Sequence, residues 1–247
     1  MIEAILENRV GRITLNRPDV HNSLDRQAMR DIRKVLADWV SADICVLILT
    51  GTGKSFCSGV SLGDVGSGDW SDNPLTAVCD ALENFHAPTI CALNGGVYGG
   101  GTELAMACDF RIGVEDMKMF VPAGKIGVHY EPAGLARFIQ KLGTQTTRRM
   151  FLLGEVSVGN ELLENGFVDY MVAGTDLEAR TDELASAIVD GAPLAVQGMK
   201  RTILEISQDA LDLHEASDRV TECFASADHV EGLAALSEKR KPSFKGK

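Results

Sequence analysis

The chain is poor in aromatic residues, 6% of 247 positions with only 2 Trp and 3 Tyr, and it has no long hydrophobic run. Its longest purely apolar stretch, Ile44 to Leu49, is six residues, against the roughly 20 needed to cross a bilayer. A membrane span is therefore not expected. The opening MIEAILENRV carries acids and no apolar segment of leader length, so secretion is not expected either. Basic charge is also scarce. There are 24 Lys and Arg against 35 Asp and Glu, and the net charge of −11 argues against nucleic acid as the main partner. The six cysteines include no C-x-x-C pair and no zinc-finger spacing. Cys45, Cys91 and Cys108 lie in apolar runs, as buried free thiols do. A reduced, cytoplasmic protein is expected. No two of the five histidines stand four apart, and no metal site is expected.

What remains is an ordinary globular composition, 45% apolar and 24% charged, long enough for one large domain with an appendage. Ile2–Leu6 and Val10–Leu15 read as two strands of a hairpin turning at Glu7-Asn8-Arg9. Asp25 starts a helix whose apolar stripe is Met29, Ile32, Val35, Leu36 and Trp39. Residues 44–50 read as a buried strand, 51–73 as a polar, glycine-rich loop, and Pro74 as the first turn of a helix to about His86. Strands follow at 89–93 and 110–114. After Pro132 the pattern is mostly helical, with a helix start near Ser157 and a last strand at 168–172. From Pro193 onward only helices are expected. Alternating strand and helix units make this an α/β chain. One boundary is proposed, between a core of residues 1–190 and a helical subdomain of residues 191–247.

The segment Pro88 to Asp109, PTICALNGGVYGGGTELAMACD, is the most informative. A short apolar strand enters a glycine cluster and leaves through Thr102-Glu103 into a small-residue helix. Glycines admit a ligand close to the backbone, and the first N–H groups of a helix lack internal partners. An N–H at Gly100 or Gly101 would hold a developing oxyanion, with Glu103 behind it for proton transfer. The structural alternative is a plain strand-to-helix turn with an acid in its first helical turn. The loop Thr50 to Leu62 supplies a second exposed N–H near Val60, and two such donors facing one carbonyl oxygen form an enolate-stabilising hole.

Other short patterns compete. Gly53-Lys54-Ser55 lacks the upstream glycine of a phosphate loop, since position 48 is Ile. Gly59-Val60-Ser61-Leu62-Gly63 fits G-x-S-x-G, with His214 and His229 downstream. A nucleophile elbow, however, needs a strand running straight into the serine, and a polar loop intervenes here. The basic cluster Lys239, Arg240, Lys241, Lys245 and Lys247 reads as either a polyanion contact or a solvated tail.

Four landmarks together carry a family resemblance. They are Asn16-Arg17-Pro18 through Asn22-Ser23-Leu24; Leu49-Thr50-Gly51 through Phe56-Cys57-Ser58-Gly59-Val60-Ser61-Leu62; Asn94-Gly95 through Gly99-Gly100-Gly101-Thr102-Glu103-Leu104; and Glu231-Gly232 through Lys239-Arg240-Lys241-Pro242-Ser243-Phe244. In this order and spacing the chain resembles the crotonase superfamily of enoyl-CoA hydratases and isomerases. The resemblance implies a spiral of ββα units and a C-terminal helical trimerisation subdomain, giving a homotrimer or a hexamer built as a dimer of trimers. It implies an oxyanion hole of the Val60 and Gly100 N–H groups, with Glu103 as a catalytic acid or base. It implies an acyl-CoA substrate, with CoA along Ser58, Ser61, Leu62 and Gly63, near Arg26, and met at its phosphates by Lys239. Coenzyme A would arrive as part of the substrate, with no resident cofactor.

The departures are specific. Hydratases of the family use two glutamates, and alignment through Phe120, Pro122 and Gly127 puts Ala123 at the second. Val60-Ser61 stands where Ala-Asp is usual. Glu131, eight residues past Ala123, resembles an extra acidic position of dienoyl-CoA isomerases and 3-hydroxyisobutyryl-CoA hydrolases. Tyr130 falls where methylmalonyl-CoA decarboxylase has an active-site tyrosine. Glu131 is equally readable as a helix-start acid before Pro132, and His129 as a packing residue. The expected activity is that of an enoyl-CoA hydratase or isomerase acting through a thioester enolate. A thioester hydrolase, a decarboxylase or a catalytically weak acyl-CoA binder are the alternatives.

Overall fold

The computed structural model describes residues 2–61, 63–64 and 72–247. Strands β1 (Ile2–Glu7) and β2 (Val10–Leu15) form the expected antiparallel hairpin. Asn8 and Arg9 take the left-handed conformation that a tight two-residue hairpin turn requires, with φ of 51° and 67°. Helix α1 (Arg26–Asp38) is capped by Asp25, whose carboxylate accepts the Ala28 N–H at 2.8 Å. It buries Ala28, Met29, Ile32 and Leu36, most of the stripe read from the sequence.

Three strand–strand–helix units follow. They are β3 (Val46–Gly51), β4 (Ser55–Cys57) and α2 (Pro74–Glu83); β5 (Thr89–Leu93), β6 (Gly96–Tyr98) and α3 (Gly100–Met106); and β7 (Phe110–Val114), β8 (Lys118–Phe120) and α4 (Pro132–Arg148). Then come β9 (Ser157–Val158), α5 (Glu161–Glu164), β10 (Tyr170–Val172) and α6 (Leu177–Val189). The first strand of each unit joins a six-stranded sheet ordered β1-β2-β3-β5-β7-β10, and the second joins a four-stranded sheet ordered β4-β6-β8-β9. Each unit therefore advances one position in both sheets. That is the spiral of ββα turns that the resemblance implies. The parallel strands are buried on both faces, which explains why Val46–Leu49 and Thr89–Leu93 are continuous runs and do not alternate.

Several boundaries differ from expectation. The loop read over 51–73 contains β4, and the glycine turn contains β6. Ser157 opens strand β9, and the helix begins only at Glu161. Helix α2 ends at Glu83, short of His86.

Helices α7 (Pro193–Ser207), α8 (Leu213–Ala225) and α9 (Ala227–Glu238) close the chain. Helix α7 is moored to the core by Lys200, whose ammonium reaches Ala87 O at 2.9 Å and Asp109 at 2.8 Å. Ile203 and Leu213 stay 67% and 76% exposed, so neither packs into this chain's own core. No helix among the described residues is long and apolar enough to cross a membrane.

Candidate active site

Strands β4 and β6 are hydrogen-bonded neighbours, so the turns that leave them emerge side by side. After β4, Gly59 adopts φ of 90°. A Cβ there would stand 2.8 Å from Tyr98 O and 3.0 Å from the Gly100 nitrogen, and only glycine fits the approach. Val60 then bridges to Leu24, and the bridge uses Gly59 O and the Ser61 N–H. That pairing leaves the Val60 N–H free of the ladder. On the other side, Thr102 folds its hydroxyl back on Gly99 O at 2.6 Å, and Gly100 opens α3 with an N–H that has no intrahelical acceptor. The Gly99 N–H donates to Phe120 O at 3.1 Å, which draws the segment after β8 to the same place.

These segments wall a cavity of about 340 Å³ lined by Ser58, Val60, Gly100, Glu103, Tyr130 and Glu131, with Leu75, Pro122, Ala123 and Val128. Two asparagines from the landmarks hold the frame. Asn22 donates to Thr52 O and Ser55 O and accepts the Arg17 N–H, while Asn94 accepts the Gly51 N–H. Their role in this structure is to pin loops.

Glu103 is 2% exposed and its carboxyl is pushed up to about 7, mainly by burial, against the opposing charge and hydrogen bond of Arg137. Arg137 donates to Glu103 Oε1 at 3.0 Å. Gly134, at the start of α4, makes room for this carboxylate, since a Cβ there would lie 2.8 Å from Glu103 Oε1.

Tyr130 lines the site, while its hydroxyl is buried beside Thr102 without a well-formed hydrogen bond among the described residues. Burial and the Glu103 charge raise its pKa. Glu131 is exposed and is the N-cap residue of α4, though its side chain makes no capping bond. Ala123, which the resemblance aligns with the family's second glutamate, presents a methyl to the cavity. His129 is exposed, with Nδ1 2.7 Å from Tyr130 O.

Other expected residues lie outside the described lining. Ser61 donates to Asp64 Oδ2 at 2.7 Å, Gly63 is exposed, and Arg26 pairs with Asp72 at 2.9 Å. Lys239 is the exposed, left-handed C-cap of α9. Leu62 lies outside the described residues. The serine-hydrolase pattern finds no support here, since β4 ends four residues before Ser61 and the exposed His214 pairs with Asp218 at 3.1 Å. Arg137 was missed in the sequence. It stands 34 positions from Glu103, and no local pattern marks it.

Comparison with known proteins gives the family. Residues 6–247 match the enoyl-CoA hydratase/isomerase family model. A putative enoyl-CoA hydratase/isomerase of Bacillus subtilis is 31% identical over 95% of this chain and 94% of its own length. A 2,3-dehydroadipyl-CoA hydratase of Escherichia coli is 29% identical over 98% and 97%. Among solved structures, an enoyl-CoA hydratase of Bacillus anthracis superposes with a TM-score of 0.89 at 29% identity, covering 100% of this chain and 99% of that one. An enoyl-CoA hydratase/carnithine racemase of Magnetospirillum magneticum gives 0.93 at 28% identity, covering 100% and 96%. The chain belongs to the enoyl-CoA hydratase/isomerase family of the crotonase superfamily.

Proposed function

We propose that this enzyme shifts a carbon–carbon double bond in an enoyl-CoA thioester, using Glu103 as both base and acid. The observation that carries the reading is the single buried carboxylate in the cavity lining, among the described residues, opposite a methyl at Ala123. The thioester oxygen accepts hydrogen bonds from the Val60 and Gly100 N–H groups, which stabilises negative charge at that oxygen. Glu103 takes a proton from the carbon next to the thioester of a 3-enoyl-CoA. The C–H electron pair enters the dienolate, and the protonated Glu103 returns the proton to the fourth carbon to give the 2-enoyl-CoA. One carboxyl group with a pKa of about 7 suits both steps near neutral pH.

Hydration makes a further demand, a second group to activate water. Glu131, an exposed residue of the cavity lining, would be the residue to meet it. Coenzyme A would run along Ser58, Ser61 and Gly63 past Arg26, with Lys239 at its phosphates. No resident cofactor is called for. The functional unit would be a trimer or a dimer of trimers, and the six unpaired cysteines fit a reducing compartment such as the cytoplasm.

Turnover of 3-butenoyl-CoA and crotonyl-CoA by the purified protein tests the reading. Isomerisation should outpace hydration, and Glu131→Gln should leave isomerisation near its original rate. Faster hydration that disappears in Glu131→Gln would make the enzyme a hydratase with a relocated second carboxylate.

A further inference from the structure

Arg137 is 3% exposed, and its nitrogens meet three different carboxylates. Nη1 donates to Glu103 Oε1 at 3.0 Å, Nε to Glu83 Oε2 at 3.2 Å, and Nη2 to Asp80. Asp80 and Glu83 come from α2, Glu103 from α3 and Arg137 from α4. Three ionised carboxylates around one guanidinium would leave an excess of negative charge in a place with little water, which is costly. Asp80 is 51% exposed and has water to support its charge. Glu83 has a second donor, Gln208 Nε2, at 3.2 Å. Glu103 has neither form of relief among the described bonds.

We propose that Arg137 is a positioning residue for the proton transfer: it fixes Glu103 Oε1, and Asp80 and Glu83, by sharing its charge, set how readily Glu103 holds a proton. The arrangement turns the carboxylate so that one oxygen is committed to Arg137. Residues outside the cavity wall thereby govern the group inside it. Other titratable groups facing the cluster are Cys79 on α2 and the Tyr130 hydroxyl, both near Glu103, and Lys141 on α4, near Glu83. The directions agree with this assignment, since Arg137 lowers the Glu103 pKa while Asp80 and Glu83 raise it. The proposal rests on Glu103 being the working acid and base, but its ionisation is measurable without any substrate.

The experiment is a carbon-13 carboxyl NMR titration of glutamate-labelled protein, with the Glu103 signal identified by its loss in Glu103→Gln. Asp80→Asn removes a half-exposed charge and spares the fold. It should lower the Glu103 ionisation by on the order of one unit, and Glu83→Gln should do the same. The acid limb of the pH–rate profile for 3-enoyl-CoA should move with it. Arg137→Lys, which keeps the charge and loses the fork, should cut kcat about tenfold or more with KM little changed. An unmoved Glu103 titration in folded Asp80→Asn and Glu83→Gln would overturn the proposal and leave Arg137 a clamp between helices. A shifted titration without enoyl-CoA turnover would keep the network and overturn the activity instead.

Discussion

A carboxyl group that must take a proton and then give it back cannot be held firmly in either form. Glu103 meets this condition through opposing influences: burial favours the neutral acid, and the Arg137 contact favours the anion. The compromise has a cost that is open to measurement. Its folded pKa of about 7 lies above the ordinary 4.5, so the native state binds this proton more tightly than the unfolded chain does. The stability that protonation contributes is fully present below about pH 4.5 and is lost as pH rises through about 7. The shift corresponds to on the order of 3 kcal/mol. Glu103→Gln has no such titration. Chemical denaturation at pH 4.5 and pH 8 should show the variant gaining on the wild-type protein by a few kcal/mol at the higher pH. An equal difference at both values would mean that Glu103 does not titrate abnormally.

At the scale of elements, the sequence was legible wherever a pattern was long enough to have a period or a cap. The α1 stripe, the Asp25 cap, Pro74 and Pro193 in first helical turns, and the apolar runs of β3 and β5 were all readable. Strands β4, β6, β8 and β9 were not. They are three, three, three and two residues long, too short for alternation, and β6 opens on a glycine. Their identity comes from pairing in the order β4-β6-β8-β9, a tertiary fact. The same limit applies to the site. Glu103, Val60 and Gly100 stand in recognisable local motifs, whereas Arg137 is recruited from a separate helix and only packing shows what it holds. Helices α7 to α9 raise a different matter, because they carry an apolar side that this chain does not cover. Ile203, Leu213, Phe224 and Leu236 are all exposed, a burden that a second copy would relieve. Sedimentation at micromolar concentration should therefore give trimers or hexamers. A fully active monomer would contradict that assembly.

Across the whole molecule, the spiral explains why one cavity draws on stretches of chain around residues 60, 100 and 125. Consecutive ββα turns place β4, β6 and β8 side by side, so the segments that leave them converge although they are far apart in sequence. The basic tail is less free than its composition implies. Arg240 holds Glu231 through both carboxylate oxygens at 2.6 and 2.9 Å, and the Lys245 and Gly246 N–H groups donate to Asp228 at 2.7 Å. Folding back in this way commits Arg240, while Lys239 stays exposed beside it and the exposed Lys241 pairs with Asp190 at 3.6 Å. An acidic protein of net charge −11 has reason to keep such a local patch if it is to receive a polyanionic CoA. In the proposed reaction one buried carboxylate carries the proton between two carbons of the substrate. Its most direct measurement is the rate of 3-butenoyl-CoA isomerisation by folded Glu103→Gln, with the wild-type reaction run in deuterium oxide. Loss of the group should lower turnover about 10²- to 10⁴-fold, and a carboxyl that keeps its proton should leave part of the wild-type product unlabelled at the fourth carbon. Undiminished turnover in the variant would show that Glu103 does not carry the proton.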